Sequence, residues 1–349
     1  MAARPLTTPD GAPSRSATAL PVAVDAMGGD HAPAAVVAGA RRAAQEEGLD
    51  VLLVGDPAEL GDVEPLQVVP AGEVIAMDEE PGRGVRRKKD ASVVRAAEAV
   101  RDGRAAAMVS AGNTGAAMAS ALLRMGRIRG VARPAIATPL AVPGGTPVTL
   151  LDAGANAECS ASWLFQFAVM GAVFAHRRYG IAKPRVALLS IGEEAGKGTT
   201  LVKEAHTLLT EAEDLWFIGN VEGGDVLTGV ADVVVTDGFT GNVVLKALEG
   251  AFGHLSDTLD RAMEATPAGR EAAEVLRPLL APLRAELDPE SPGGGMLLGV
   301  NGVCVISHGA SSAAAVTNAV RAAHDLAAGG LVEDLRAALG TGAGQGAGA

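Results

Sequence analysis

Residues Val22–Pro33 read VAVDAMGGDHAP: a run of apolar residues ends at an aspartate, and two adjacent glycines follow. The β-branched run is typical of a buried strand, and Pro33 is typical of a first helical turn, where a missing N–H group costs nothing. The stretch therefore predicts a strand, a tight glycine loop and a helix in succession. Such a junction points backbone N–H groups at the space beyond the carboxyl end of the strand, where anions bind readily.

The same arrangement recurs along the chain. Further buried-strand patterns run into small polar loops that open helices, and these loops are Ala111–Ala116, Asp152–Asn156, Ile191–Thr200, Asp237–Lys246 and Ser307–Ser312. Strands separated by helices, with one hairpin over Ala135–Val142 and Thr146–Leu151, predict an α/β fold with a mostly parallel, doubly wound sheet. Because ligands bind beyond the carboxyl ends of such strands, we expect the loops to line one shared cleft.

The first third of the chain contains two less regular segments. Glu73–Met77 has the pattern of a short strand. Pro81–Asp90, PGRGVRRKKD, is the only dense basic run in an acidic protein. Its simpler interpretation is a solvated loop, and the alternative is a contact for an anion or an acidic partner.

The composition narrows the class of protein. The chain has 349 residues, 48% of them apolar, and a formal net charge of −12, which argues against a nucleic-acid surface. Two distant cysteines without a CxxC pattern suggest free thiols in a reducing cytosol. No apolar run approaches the ~20 residues of a membrane span.

The sequence also predicts the domain organisation. Residues 1–20 are predicted to be a disordered tail without a signal peptide, and residues 21–330 a single α/β catalytic unit. Residues 331–349 are predicted to form a helix and a flexible tail.

Residues 253–290 predict a helical hairpin that stands apart from the α/β pattern. Its second half carries an apolar stripe at helical spacing, formed by Val275, Leu276, Leu279, Leu280, Leu283 and Leu287. The stripe fits packing against a second subunit. It also fits a hydrophobic lip for an acyl chain or a bilayer surface.

Six segments occur in a familiar order: VAVDAMGGDHAP, SAGNTGA, LLDAGAN, SIGEEAGKG, DVVVTDGFTGNVVLK and LLGVNGVCVISHG. Over residues 22–328 the sequence resembles the phosphate acyltransferases of bacterial phospholipid synthesis (PlsX). The resemblance implies a homodimer with a fold similar to isocitrate and isopropylmalate dehydrogenases and phosphotransacetylases. It implies transfer of a fatty acyl group from acylated acyl-carrier protein to inorganic phosphate, giving acyl phosphate for phosphatidic acid synthesis without a cofactor. It also implies peripheral attachment to the inner face of the cell membrane, where a glycerol-3-phosphate acyltransferase would receive the product.

This reaction calls for a phosphate cradle, an oxyanion hole and exclusion of water. Phosphate is largely dianionic near neutral pH, with a pKa of about 6 by analogy with phosphomonoesters. The enzyme therefore has to bind and position phosphate more than deprotonate it. The candidate catalytic residues are His308, Lys246, Asn242 and Lys197. The candidate phosphate- or substrate-binding residues are Asp25, Gly28, Gly29, Asp30, Asn113, Thr114, Asp152, Asn156, Asp237, Gly238, Thr240 and Gly241. The candidate dock for the acidic carrier protein is Arg86, Arg87, Lys88 and Lys89.

Each of these residues has an alternative interpretation. A lone histidine at a strand end is often structural, and asparagine and threonine at loop tips often cap helices. The aspartates either cap helices and orient lysine and asparagine or bind Mg²⁺, and because their spacing fixes no metal site we predict none.

The alternative function is a nicotinamide-dependent dehydrogenase on a related fold. The missing dinucleotide fingerprint argues against it. A non-catalytic scaffold would have no use for so many polar loop tips.

Overall fold

Strands and helices alternate along residues 20–341, which the computed structural model describes; residues 1–19 and 342–349, where flexible tails are predicted, lie outside the described part. The strands are β1 (Val22–Asp25), β2 (Val51–Gly55), β3 (Gln67–Pro70), β4 (Ala107–Ser110), β5 (Ala135–Leu140), β6 (Val148–Leu151), β7 (Arg185–Leu189), β8 (Trp216–Val221), β9 (Val233–Val235), β10 (Gly295–Leu298) and β11 (Val303–Ile306). The helices are α1 (Ala34–Glu47), α2 (Pro81–Arg87), α3 (Ser92–Arg101), α4 (Thr114–Arg124), α5 (Ala161–Tyr179), α6 (Thr200–Thr210), α7 (Gly238–Glu264), α8 (Pro267–Leu287), α9 (Ala313–Ala328) and α10 (Leu331–Thr341).

The strands form one sheet in the order β3-β2-β1-β4-β11-β10-β5-β6-β9-β7-β8. Neighbouring strands pair in parallel except at β11–β10, β10–β5 and β5–β6. The predicted mostly parallel sheet and the predicted β5–β6 hairpin are therefore confirmed. The three antiparallel pairs reverse the strand direction, so the set from β3 to β11 runs opposite to the set from β6 to β8.

The strand register brings the carboxyl ends of the two sets together. Val305 of β11 pairs with Met296, Met296 pairs with Ala137, and Ala137 pairs with Leu151, the last residue of β6. Leu151 in turn pairs with Val235, the last residue of β9. The ends of β11, β6 and β9 thus lie within one residue of the same level, and the loops that follow them can reach a common space.

Helices cover both faces of the sheet. In β1, the side chains of Val22 and Val24 join one apolar cluster and the side chain of Ala23 joins the other. The first cluster lies under α1, α5, α6, α9 and α10, and the second lies under α3 and α4. A strand buried on both faces reads as a continuous apolar run, which is why β1 was recognisable from sequence.

Two sequence predictions in the first third of the chain are wrong. Within Glu73–Met77, only Glu73 makes an isolated bridge, to Ala91. The carbonyl groups of Ala76 and Met77 accept hydrogen bonds from the Asn113 side chain instead of from a neighbouring strand. The basic run is not a loop, because Pro81–Arg87 forms α2. The Glu80 carboxylate caps this helix by accepting from the backbone N–H groups at positions 82 and 83.

The C-terminal half of the chain holds one strand that the sequence did not predict and a long helical hairpin. The unpredicted strand is β10, which is antiparallel to both of its neighbours. Helices α7 and α8 pack against each other, and the Arg284 guanidinium donates to both carboxylate oxygens of Asp260 at 2.9 and 3.0 Å. Among residues 20–341, every helix is too short or too polar to cross a membrane.

Candidate active site

A cavity of about 690 Å³ lies where the loops of the two strand sets meet α7 and α8. Thr114 reaches it from the loop after β4, and His308 reaches it from the loop after β11. Ala153 and Asn242 enter from the opposite set, after β6 and β9. The volume lies in the range of small-molecule sites, roughly 300–1,000 Å³. Four of the six strand-end loops therefore line a shared cleft, whereas Val22–Pro33 and Ile191–Thr200 are outside the lining.

One end of the cavity carries a cluster of three charged or ionisable side chains. The Lys246 Nζ lies 2.7 Å from Glu249 Oε2 and 3.3 Å from His308 Nε2. Glu249 Oε1 lies 3.1 Å from the same nitrogen of His308. The side chains of Lys246 and His308 are half exposed, whereas that of Glu249 is only 21% exposed. All three residues line the cavity, and the carboxylate is the least exposed of the three side chains.

The remainder of the cavity is mainly apolar. Its lining comes from one side of α7, one side of α8 and strand β5, and includes Ile136, Leu140, Leu245, Leu248, Phe252, Leu255, Leu259, Leu280, Leu283 and Leu287. Helices α7 and α8 therefore extend the polar end into a hydrophobic groove. A ligand with an anionic head and a long aliphatic tail would match both ends.

The loop of Val22–Pro33 supports this site from behind and does not line it. A β-carbon at Gly28 would lie 2.8 Å from the backbone of Gly112, and one at Gly29 would lie 3.0 Å from the carbonyl oxygen of Gly309. The Asp30 backbone N–H donates to that carbonyl at 2.7 Å. Gly29, Asp30 and Gly309 thus fix the loop that carries His308. Gly28, Gly29 and Asp30, which were predicted to bind phosphate, are therefore outside the cavity lining.

Asp25 anchors the same support from within the core. Its carboxylate accepts from the Ser110 hydroxyl at 2.7 Å, and its side chain is 2% exposed. Burial raises the pKa of the Asp25 carboxyl, and the Ser92 and Ser110 hydroxyls limit that rise. The charged form is therefore less favourable in the folded protein than in the unfolded chain.

This raised pKa predicts a pH-dependent stability difference between the native protein and an Asp25→Asn variant. Between the unfolded and folded pKa values the folded protein binds more protons, so the stability contributed by Asp25 falls as pH rises through the folded pKa. Urea unfolding of both proteins from pH 4 to pH 8 measures the difference, which cancels other titrating groups. We expect the native minus variant free energy of unfolding to decrease with pH. A difference that is flat or increases with pH would contradict the assignment.

Asn113 ties residues 76–79, which precede the basic run, to the start of α4. Its Oδ1 accepts from the Ala116 N–H and so caps α4, while its Nδ2 donates to the carbonyl groups of Ala76, Met77 and Glu79 at 3.0–3.2 Å. These bonds use the capacity of the side chain, so Asn113 acts as a structural clamp. The adjacent Thr114 lies in the lining at the start of α4.

Asp152 holds the loop after β6, in the second strand set, by hydrogen bonds to its backbone. Its fully buried carboxylate accepts from the N–H groups of Ile136, Gly154, Ala155 and Asn156 and from the Asn156 side chain, at 2.8–3.1 Å. Burial raises the pKa of the Asp152 carboxyl, and these hydrogen bonds limit the rise. Asp152 and Asn156 therefore shape the loop after β6.

The first turn of α7 packs directly on that loop. Gly238 donates its N–H to the Asn156 carbonyl at 2.8 Å, and a β-carbon there would lie 2.6 Å from that oxygen. Asp237 caps α7 by accepting from the Thr240 N–H and hydroxyl. Gly241 lies against the carbonyl of Asp152. These residues position Asn242 and Lys246, which line the cavity, and their own polar groups are occupied within the protein.

The predicted catalytic residue Lys197 and the aspartates considered as Mg²⁺ ligands are not part of the cavity lining. Lys197 sits in the loop after β7, where its side chain lies beside Gly192. Among the four aspartates proposed as possible Mg²⁺ ligands, Asp25, Asp152 and Asp237 accept hydrogen bonds from protein donors. Within residues 20–341, His, Cys, Asp and Glu form no cluster of three or more that could hold a metal ion.

The cations of the basic run Pro81–Asp90 have different surroundings in the structure. Lys88 donates to the Val74 carbonyl and to the Glu79 carboxylate, so its charge is already paired. Arg86, Arg87 and Lys89 are exposed beside α2. Asn113 holds residues 76–79, which precede α2, against the start of α4, and the three cations lie outside the cavity lining.

Glu249 is one of the polar lining residues that were not predicted from the sequence. It lies three positions after Lys246, a spacing that places the two side chains on the same face of a helix. This spacing is visible in the sequence. It does not single out Glu249, because one acidic residue on a long amphipathic helix is usually solvated. Only the tertiary fold brings His308 to it, across 59 residues of sequence.

Comparisons with known proteins bear on the family of this chain. A family model described as "Fatty acid synthesis protein" matches residues 20–333. The phosphate acyltransferase of Heliobacterium modesticaldum is 50% identical over 311 residues, covering 86% of this chain and 92% of the relative. That of Elusimicrobium minutum is 48% identical over 324 residues, covering 90% and 94%.

Solved structures bear on the fold alone. A branched-chain phosphotransacylase from Enterococcus faecalis is 17% identical, with a TM-score of 0.60 over 88% of this chain and 99% of that chain. A phosphotransacetylase from Streptococcus pyogenes is 18% identical, with a TM-score of 0.59 over 89% and 94%. They confirm the predicted fold class. Because close relatives named phosphate acyltransferase match nearly the whole of residues 20–333, this chain belongs to the phosphate acyltransferase family and is an acyltransferase.

Proposed function

We propose that this protein transfers a fatty acyl group from acylated acyl-carrier protein to inorganic phosphate. The products are acyl phosphate and the free thiol of the carrier, and the acyl phosphate feeds phosphatidic acid synthesis. No cofactor enters the reaction, because phosphate is itself the nucleophile and a thiolate with a free pKa of about 8.5 is a good leaving group.

The observation that carries this proposal is the two-part cavity. Lys246, Asn242 and His308 line its polar end, and the α7–α8 groove continues from them as an apolar channel. Acyl phosphate has the same division between a dianionic head and an aliphatic tail. A lysine ammonium suits phosphate as a compact positive charge, and the apolar walls exclude the water that would hydrolyse the product.

The residues support one addition–elimination sequence. A phosphate oxygen attacks the thioester carbonyl carbon, forming a C–O bond and a tetrahedral oxyanion. The C–S bond then breaks, and its electron pair leaves with sulfur. Lys246 offsets phosphate charge and fixes its position, while Asn242 provides a hydrogen-bond donor and the His308 ring provides a hydrogen-bonding nitrogen at the same end. Such a sequence needs no acyl-enzyme.

Trapping of acyl phosphate with hydroxylamine tests the proposal. The purified protein is incubated with palmitoyl-carrier protein, with or without phosphate, and hydroxamate is measured. We expect phosphate-dependent hydroxamate. Hydroxamate at the no-phosphate level would overturn the proposal.

A thermal-shift titration with NAD tests the alternative function as a dehydrogenase. We expect NAD to leave the melting temperature of the protein unchanged.

We propose that the carrier protein docks on the exposed cations Arg86, Arg87 and Lys89. Acyl-carrier proteins are acidic, and these cations are exposed on a segment whose preceding residues, 76–79, are bonded to Asn113 next to the cavity-lining Thr114. Complementary charge across an interface mainly speeds encounter and is screened by salt.

Charge reversal at this dock is expected to weaken carrier binding selectively. In an R86E/R87E double variant, KM for the acylated carrier should rise roughly 10-fold at low salt, and the effect should shrink as salt is added. KM for phosphate should stay the same. The matched control reverses the exposed residues Arg129 and Lys183, which lie outside the cavity lining. Equal effects in the two double variants would exclude docking on α2.

Peripheral membrane contact through α8 is part of the same proposal. Val275 and Leu279 are 66% and 71% exposed and do not line the cavity, whereas Leu283 does. A V275D/L279D variant should lose most of its co-sedimentation with anionic liposomes while keeping activity on the carrier substrate. The control is L208D, at a partly exposed leucine of α6. Unchanged co-sedimentation of V275D/L279D would refute membrane contact at this face.

The homodimer implied by the resemblance completes the proposal. Ile191 and Phe239 follow neighbouring strands β7 and β9, and both are exposed, with Val243 one turn further along α7. An apolar patch at this position suits a subunit contact. Sedimentation equilibrium of the full chain measures the assembly, and a monomer at all concentrations would contradict it.

A further inference from the structure

The cluster at the polar end of the cavity contains a carboxylate with no assigned role. Glu249 Oε2 accepts from Lys246 Nζ at 2.7 Å, and Glu249 Oε1 lies 3.1 Å from His308 Nε2. Lys246 Nζ lies 3.3 Å from the same Nε2. The cluster thus places one imidazole nitrogen between a permanent acceptor and a cationic donor.

These distances favour one protonation pattern at His308. A ring nitrogen either carries a proton and donates, or carries a lone pair and accepts. If Nε2 carried the lone pair, it would face the Glu249 carboxylate acceptor-to-acceptor at 3.1 Å, which is repulsive. If Nε2 carries the proton, it donates to Glu249, and the Lys246 ammonium is satisfied by the other carboxylate oxygen. The second pattern satisfies the shorter of the two contacts of Nε2, which is 3.1 Å to Glu249 against 3.3 Å to Lys246, and it keeps the Lys246 ammonium bonded to the carboxylate.

The burial of the three side chains gives Glu249 a supporting position. It is 21% exposed, whereas Lys246 and His308 are about half exposed and face the cavity. The other charged side chains that line the cavity are Arg284 and Asp288 on or beside α8, and Arg284 is paired with Asp260. Glu249 is therefore the anion that holds the two groups at the polar end.

We infer that Glu249 is a positioning residue that fixes the Nε2–H form of His308 and holds the Lys246 ammonium within reach of phosphate. An arriving phosphate dianion competes with Glu249 for Lys246. Glu249 then retains its hydrogen bond with His308, so the imidazole keeps its orientation while the lysine turns to the nucleophile. The catalytic part of this inference rests on the proposed acyl transfer to phosphate, whereas the part about the imidazole does not.

An E249Q variant tests both parts because the glutamine amide can reverse the hydrogen bond. Its NH₂ group can donate to Nε2 of His308, which favours the lone pair on Nε2 and the proton on Nδ1. Long-range ¹⁵N spectra of histidine-labelled protein report the tautomer directly. The chain has six histidines, and an H308N variant assigns the signal. We expect His308 to be protonated at Nε2 in the native protein and to shift toward the Nδ1–H form in E249Q.

Kinetics supplies a second readout. In E249Q, kcat should fall at least about 10-fold while KM for the acyl donor stays the same, and E249D should recover part of the loss. The matched control is E264Q, since Glu264 also lies on α7 and pairs with Arg277 at 2.7 Å but is outside the lining. Circular dichroism and melting temperature check that both variants fold.

The outcomes separate the inference from the proposed function. An unchanged His308 tautomer in E249Q would overturn the inference even if the protein makes acyl phosphate. A kcat for E249Q equal to that for E264Q would overturn the positioning role. If the native protein makes no acyl phosphate, the proposed function fails, and the ¹⁵N spectra still decide whether Glu249 controls the imidazole.

Discussion

Replacing Lys246 by methionine is expected to lower kcat/KM for phosphate roughly 10²- to 10³-fold, the usual cost of removing one preorganised charge-stabilising group. Lys246 projects from α7 into the polar end of the cavity, where its ammonium lies 3.3 Å from His308 Nε2. Methionine keeps much of the apolar stem and removes the charge, so the loss measures electrostatics more than packing. KM for the acylated carrier should change little.

Comparison with other lysines decides whether this effect is specific. K246R should recover only part of the activity, because a planar guanidinium cannot occupy the position of a compact ammonium. K203M, at an exposed position of α6, is the control for loss of one positive charge. Lys197 was also a sequence candidate but lies outside the lining, so K197M should fall much less than K246M. A K246M enzyme with native phosphate kinetics would remove Lys246 from the phosphate site.

The parts of the fold that could be predicted from sequence are those fixed by local pattern. The residues of β1 are buried on both faces, so Val22–Asp25 shows a continuous apolar run followed by the glycines of a turn. Asp237 caps α7 through the Thr240 N–H, so the helix begins at Gly238, within the segment Asp237–Lys246 that was predicted as a loop. Short elements without such signals were missed. Helix α2 contains two glycines and a proline, and it depends on the Glu80 cap and contact with α4.

The role of each candidate residue was harder to predict than its presence near the site. Gly28 and Gly29 were expected to approach an anion, and glycine is indeed required there by a close approach. The approaching group is the protein's own backbone, at Gly112 and at Gly309. Sequence shows that a side chain would not fit, but only the fold shows what fills the space.

The same limit explains the difference between Asn113 and Asn242. Both follow strands and both precede or begin helices, so their local patterns are equivalent. Asn113 donates to three carbonyl groups of residues 76–79 and accepts from the N–H of Ala116. Asn242 lines the cavity. The partners that separate the two roles lie more than thirty residues away in sequence, where local pattern carries no information.

Replacing Gly241 by alanine is expected to destabilise the protein by roughly 3 kcal/mol and to abolish most activity. Gly241 is buried at the start of α7, and a β-carbon there would overlap the carbonyl oxygen of Asp152. That oxygen is backbone, and the Asp152 carboxylate fixes its loop through five donors, so rotation of a side chain cannot relieve the overlap. Helix α7 must shift as a unit.

Such a shift would displace the catalytic candidates together, because Asn242, Lys246 and Glu249 all follow Gly241 on α7. The matched control is G250A on the same helix, where a β-carbon would meet no atom within 4 Å. Alanine is the better helix former by about 1 kcal/mol, so G250A should raise stability while G241A lowers it. Urea unfolding and the hydroxamate assay measure the two effects. If G241A kept native stability and activity, the close packing of α7 on the Asp152 loop would not be what positions the site.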